Sequence, residues 1–191
     1  MPELFDSHLI AYLNNPQTPC DTENRACMVV EFSPLIWKQG LLSSCSMVYA
    51  MNASVSKILV KSALYLCRQD MGLTAILASP AEALEQALVL SSLLKHHHDI
   101  PPATIALAQG EGIVLGNGDW RSIARFEARR LACLGGSDEL LATDDFIRNL
   151  QAPEGVGMFR GKKPQIQQAG FEFWNIKDYR CQHQPLPKED P

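Results

Sequence analysis

A chain of 191 residues in which 46% are hydrophobic and 20% charged carries enough apolar material for one packed domain and is not composed like a disordered chain. A net charge of −4, with no basic cluster longer than Gly161-Lys162-Lys163, excludes the electrostatic footprint of a nucleic-acid binder, so no nucleic-acid partner is expected. No apolar run approaches the roughly 20 residues that cross a bilayer, and acids stand at the N-terminus where an export signal needs a basic patch; the expectation is a cytoplasmic protein with no membrane partner.

Residues 1–25 are expected to form an N-terminal helix over 4–13 and a turn-rich loop through Asn14-Asn15-Pro16. The apolar run 26–32 predicts the first strand, buried and central, stopped by Ser33-Pro34. Beyond it Leu41, Cys45, Val48, Met51, Val55, Ile58 and Leu59 recur at spacings of three and four, the signature of a long amphipathic helix that ends near Lys61. Runs 63–67 and 73–77 predict a β-hairpin turned by Arg68-Gln69-Asp70-Met71-Gly72. Ser79-Pro80-Ala81-Glu82 is a helix start, with Ser as N-cap, Pro at the first helical position and Glu at the third, and that helix runs to about Lys95. The histidines His96, His97 and His98 that follow point about 100° apart on a helix and form a polar helix end rather than a metal site.

After Pro101-Pro102, segments 103–108 and 112–115 are expected to pair around Gln109-Gly110-Glu111, with a loop at 116–119. Residues 120–134 predict a third helix closed by Gly135-Gly136. A strand at 139–142, a short helix from Thr143-Asp144-Asp145, a flexible Pro/Gly stretch at 153–161, a last strand at 171–176 and a polar tail complete the chain. Six scattered cysteines without a Cys-x-x-Cys pair predict small buried hydrophobes in a reducing compartment.

The order strand, long helix, hairpin, helix, strand is the βαββαβ core of a ferredoxin-like α+β fold, which many unrelated proteins share. An additional hairpin, an arginine-bearing helix and a C-terminal strand narrow the choice. Ala75-Ile76-Leu77-Ala78-Ser79-Pro80-Ala81-Glu82-Ala83-Leu84 and Gly110-Glu111-Gly112-Ile113-Val114 are two local matches. Ala128-Arg129-Arg130-Leu131 leading through Gly135-Gly136-Ser137-Asp138-Glu139-Leu140-Leu141-Ala142, and Lys177-Asp178-Tyr179-Arg180, are two more. In this order they resemble the class III adenylate/guanylate cyclase catalytic domain over roughly 26–180. The organisation expected is an N-terminal helix and loop at 1–25, a cyclase-like domain at 26–180 and a flexible tail at 181–191.

The resemblance implies a chemistry in which two ions, Mg2+ or Mn2+, held by two acidic side chains activate the ribose 3′ oxygen of ATP or GTP for attack on the α-phosphorus. It puts Glu31 at the first metal-ligand place. Counting back from Ser79-Pro80 sets Met71 at the second, with Asp70 one residue early, and a one-residue shift in a strand turns a side chain to the other face. Arg130 holds the place of the arginine that stabilises phosphate charge, while Phe126 stands where the family has an asparagine. Base recognition falls on Cys67 or Arg68, of which Arg68 offers hydrogen-bond donors to a purine edge. Family sites form between two chains packed head to tail, which implies a homodimer or a heterodimer with a cyclase-type domain.

The departures at Glu31, Met71, Cys67 and Phe126 point to a catalytically degenerate domain serving as a nucleotide-binding, dimerising or regulatory module that needs no metal cofactor. The alternatives are an active divergent cyclase using Glu31, Asp70 and Arg130, and an unrelated ferredoxin-like binding protein. No Walker loop, dinucleotide fingerprint or nucleophile elbow is present in the sequence.

Overall fold

Alternation along the first apolar run buries Ala26, Met28, Val30 and Phe32 on one side and Cys27 and Val29 on the other, so this strand must be covered on both faces. The computed structural model describes residues 22–34, 38, 40–69, 71–96, 102–115, 118–151, 153–168, 170 and 172–180. The expected helix at 4–13, His97, His98 and the tail from 181 lie outside the described residues. Strand β1 (Thr22–Phe32) begins ahead of the Ala26 expected from the apolar run, because its first residues gain a partner strand that their own polar character does not announce.

Helix α1 (Leu41–Leu59), strands β2 (Tyr65–Gln69) and β3 (Gly72–Leu77), helix α2 (Pro80–His96) and strand β4 (Ala103–Val114) follow. In the sheet they stand β2-β3-β1-β4, all antiparallel, which is the ferredoxin-like arrangement expected. The start of α2 is as the sequence predicts: Ser79 Oγ accepts the Glu82 N–H at 3.2 Å. The sheet then extends through β5 (Trp120–Arg121), paired with β4, and β6 (Leu140–Thr143), parallel to β4. It ends with β7 (Val156–Arg160) and β8 (Phe173–Asp178) in the order β6-β8-β7. Helices α3 (Ile123–Leu134), α4 (Asp144–Arg148) and α5 (Pro164–Gln168) connect them.

Two cores result. One lies under α1, α2 and α4, around Met28, Val30, Phe32, Leu59, Leu73 and Phe146. The other lies under α3 and α5, around Cys27, Val29, Ile76, Trp120, Leu131 and Phe173. Among the described residues no helix is long and apolar enough to cross a membrane.

Several expectations need correction. The hairpin expected around Gln109-Gly110-Glu111 does not form; 103–114 is one strand paired with β1 from Thr22↔Ile113 to Phe32↔Ala103. Its glycines serve close approach rather than a turn: a Cβ on Gly112 would sit 2.4 Å from Trp120 Nε1, and one on Gly110 3.1 Å from the Ala124 methyl. The hairpin sits further on, between β4 and β5, so the third helix starts at Ile123, with Ser122 Oγ accepting the Ala124 N–H at 3.2 Å. Gly135 ends that helix in an extended conformation (φ −66°), not as a left-handed cap; a Cβ there would meet Thr104 Cγ2 at 2.4 Å. The stretch 153–161, expected to be flexible, contains β7, whose register with β8 runs from Val156↔Asp178 to Arg160↔Trp174. Arg68 and Gln69, expected in the turn, belong to β2.

Candidate functional site

Where β1 ends, four elements meet. Phe32 N–H donates to the Met71 carbonyl at 2.7 Å and Ser33 N–H to the Pro102 carbonyl at 2.8 Å, which pulls the β2–β3 turn and the entry to β4 around the end of β1. The α3–β6 turn closes the fourth side. It is fixed by Thr104 Oγ1 donating to the Gly136 carbonyl at 2.7 Å and by Gly136 N–H donating to Glu139 Oε2 at 2.6 Å, with Lys163 pairing the same carboxylate. The recess so formed encloses about 210 Å³ and is lined by Glu31, Met71, Thr104, Cys133, Gly135 and Ser137, among others. Glu31 pairs with Gly72 on one side and Thr104 on the other.

The charge pattern of the recess follows from the phase of α3. Ala124, Ala128, Leu131 and Ala132 are its buried residues, so Arg125, Arg129 and Cys133, spaced by four, run along one flank, and Ile123, Phe126 and Arg130 run along the outer side. Burial pushes the Glu31 carboxyl above its ordinary range, and the Arg129 guanidinium pulls it part of the way back. The Cys133 thiol is raised by burial and by the Glu31 charge, again opposed by Arg129. Glu31, Arg129 and Cys133 therefore form one interacting group.

Of the residues singled out in the sequence, Glu31 and Met71 come together in this recess. Asp70 lies outside the described residues. Arg68 stands apart: it pairs with Leu73, whose side chain belongs to the core under α1, and its Nε donates to Ser56 Oγ of α1 at 3.2 Å. Glu31 points to the opposite face of the sheet, toward α3, so one chain does not bring Arg68 and Glu31 together. Arg130 is exposed on the outer stripe of α3, its guanidinium 5.9 Å from the Phe126 ring centre. The arginine whose charge acts on Glu31 is its neighbour Arg129.

Sequence reasoning missed a second polar centre. Asp119, assigned to a loop, is buried at 2% exposure, ion-paired with Arg125 and, at 2.9 Å, with Arg121. It also accepts the Trp120 N–H at 2.9 Å, while Trp120 Nε1 donates to the Glu23 carbonyl at 3.1 Å. This ties β5 and the start of α3 to the first residues of β1 and holds Arg125 in place. The available signal was an acid two and six residues ahead of arginines, with tryptophan between them. Cys27, beneath this group, has its thiol pushed up to about 12, chiefly by burial and further by Asp119, with Arg125 opposing.

Among the described residues that line the recess, Glu31 is the one carboxylate. Among the described residues no three His, Cys, Asp or Glu side chains are placed to hold a metal; Met71 and Cys133 line the recess with Glu31, and Met71 also packs against the core under α1.

No protein-family model matches the sequence, and no curated protein does. Solved structures do match. A guanylate cyclase domain from Catenaria anguillulae in complex with GTP superposes with a TM-score of 0.66 at 9% identity, covering 84% of this chain and 100% of that one. The fold is that of a class III cyclase domain. An adenylate/guanylate cyclase/hydrolase from Silicibacter pomeroyi (TM-score 0.60, 12% identity, 82% of this chain and 98% of that one) and adenylate cyclases from Trypanosoma brucei in their monomeric state (TM-score 0.59, 12% identity, 91% and 96%) share it. At these identities the likeness is one of fold alone.

Proposed function

We propose that this cyclase-like domain has lost metal-dependent catalysis and works as a nucleotide-binding, dimerising or regulatory module. The observation that carries the reading is that Glu31 is the one carboxylate among the described residues lining the recess, with Met71 and Cys133 beside it. Two-metal phosphoryl chemistry needs hard oxygen donors whose charge is left for the ions. Here burial holds the Glu31 carboxyl above its ordinary range, which Arg129 opposes only in part, and thioether and thiol are poor ligands for Mg2+.

The placement of Arg130 supports a role in a pair of chains. It stands on the outer side of α3, away from Glu31, so the two can serve one ligand only across an interface in which each chain lends a different surface. A recess of about 210 Å³ is also below the roughly 300–1,000 Å³ of complete small-molecule sites, as a half-site would be.

The test incubates the purified protein with ATP or GTP and Mg2+ or Mn2+. The expected result is no cyclic nucleotide above the protein-free blank, together with a nucleotide-induced rise in melting temperature; saturation at 100 times Kd stabilises by about 2.7 kcal/mol. Cyclic nucleotide that disappears in Glu31→Ala would overturn the loss of catalysis in favour of an active divergent cyclase. Absence of both nucleotide stabilisation and concentration-dependent self-association would remove the module reading.

A further inference from the structure

Strand β2 ends the sheet on one side, and among the described residues no strand pairs with its outer edge. An open edge offers its backbone N–H and C=O groups to another strand. Helix α1 stands beside this edge. Asn52 Nδ2 donates to the Gln69 carbonyl at 3.2 Å and Arg68 Nε donates to Ser56 Oγ at 3.2 Å, which turns that side of α1 toward β2. On a helix Leu42, Cys45, Tyr49 and Val60 fall within about 60° of one another and of Ser56, so they share that side. Leu42 is 85% exposed, Tyr49 71% and Val60 64%, and Leu64, just before β2, is 51% exposed. The single charge of α1, Lys57, lies outside this stripe. An exposed apolar stripe therefore runs along an open strand edge.

We propose that a second copy of this chain occupies this edge, its β2 antiparallel to the first about a two-fold axis at Cys67. That axis passes through the middle of the strand, so Tyr65 stands opposite Gln69, Leu66 opposite Arg68, and Cys67 opposite itself. Arginine meets leucine, and no charge of β2 faces its own copy. The same axis matches the apolar stripes. Helix α1 runs opposite to β2, with Ser56 beside Arg68 and Asn52 beside Gln69. Tyr49, seven residues before Ser56, lies about 10 Å beyond Arg68 at a rise of about 1.5 Å per residue. One strand step of about 3.4 Å from Cys67 to Arg68 brings its distance along the strand from the axis to about 14 Å. On the other copy that level is reached four strand steps before Cys67, at Ala63 and Leu64. Tyr49 of each copy thus packs on Leu64 of the other, with Val60 alongside.

The contact joins the two sheets edge to edge. It uses none of Glu31, Arg129 and Arg130, so it goes beyond the function proposed above and stands or falls apart from it.

The full chain is treated with bismaleimidoethane over a concentration series and linked peptides are identified by mass spectrometry, beside sedimentation equilibrium of the untreated protein. Expected are a reversible dimer and a Cys67–Cys67 adduct between chains, while exposed Cys45, far from the axis on α1, is not linked to its counterpart. Tyr49→Asp/Leu64→Asp, at exposed positions where substitution leaves the core untouched, should raise the dimer dissociation constant at least about tenfold. Arg130→Ala should leave that constant unchanged. A monomer throughout the series, adducts between chains that avoid Cys67, a dimer equally tight in the double variant, or one lost in Arg130→Ala overturns the proposal.

Discussion

Replacing Gly72 by alanine probes the seam that forms the floor of the Glu31 recess. The added methyl would lie 1.9 Å from the Val30 carbonyl oxygen and 2.9 Å from its carbon, with Glu31 Cα at 3.2 Å. These are backbone atoms of the neighbouring strand, so no rotamer relieves the contact and β1 and β3 must part by well over an ångström. Overpacking costs about 1–3 kcal/mol where side chains can shift, and a backbone clash belongs at the top of that range. Separation also weakens the hydrogen bond from Phe32 N–H to the Met71 carbonyl, now 2.7 Å, which adds about 1 kcal/mol. The total is about 3–4 kcal/mol, a fall in melting temperature of about 6–16 °C for a domain of this size. Gly118→Ala is the control: its φ of +82° penalises a side chain but no described atom lies within 4 Å of the new Cβ, so the cost is only the left-handed one, about 1–2 kcal/mol. Thermal melts followed by far-ultraviolet circular dichroism compare the three proteins. A Gly72→Ala melt that stays level with the parent, or a smaller loss than in Gly118→Ala, would refute the description of this seam.

Asp119→Asn leaves Arg125 facing a neutral amide in a buried setting and should cost about 3–5 kcal/mol, read as a lower urea midpoint with an unchanged slope; a loss of under about 1 kcal/mol would show that the carboxylate is not the organising charge. For Glu31, whose carboxyl is held above its ordinary range, the folded state retains a proton that the unfolded chain has already lost. Its favourable contribution is thus complete below the unfolded value of 4.5 and is lost as pH rises through the raised one. Glu31→Gln should accordingly melt higher than the parent at pH 8 and level with it near pH 4; a gain that does not depend on pH would contradict the assignment to ionisation beside Arg129 and Cys133. Cys27, with its thiol near 12 and fully buried, should resist iodoacetamide at pH 8 in the native protein while exposed Cys45 is modified, as peptide mapping would read; equal labelling of the two would place Cys27 outside the core.

The ferredoxin-like half was legible because its signals are local. The three-and-four spacing of α1 and the Ser79-Pro80-Ala81-Glu82 start of α2 need no knowledge of the partner elements. The errors arose where a glycine's purpose depends on what approaches it. Gly110 and Gly112 have the look of turn residues, but they clear space for Ala124 and Trp120 in a continuous strand. Gly161, beside β7, has its space filled by the Phe173 ring, 2.0 Å from where a Cβ would be, so the segment loosest in composition is packed against a core aromatic. The site shows the same division. That Glu31 ends a central strand follows from its place before Ser33-Pro34. That Arg129 rather than Arg130 acts on it depends on where α3 starts, and moving that start from 120 to Ile123 follows from a hairpin visible only once β4 is seen to run through to Val114. Asp119 was hidden for a related reason: a Gly-Asn-Gly-Asp sequence describes a loop well, and burial of its last residue comes from Trp120 and the arginines that fold over it.

The full-length pairing of β1 with β4 bears on the order in which this chain can fold. The β2–β3 hairpin and the helices can form from neighbouring residues, but the central seam joins Thr22 to Ile113 and Phe32 to Ala103, so it closes only after everything between has been synthesised and gathered. Until then Val29, Val30 and Phe32 have only one of their two flanking strands, and a β-prone stretch stays open along one edge. On a ribosome releasing about 5–20 residues each second, that exposure lasts for seconds. The strand that carries Glu31 is therefore both the centre of the finished sheet and, during synthesis, the segment most dependent on protection from pairing with another chain.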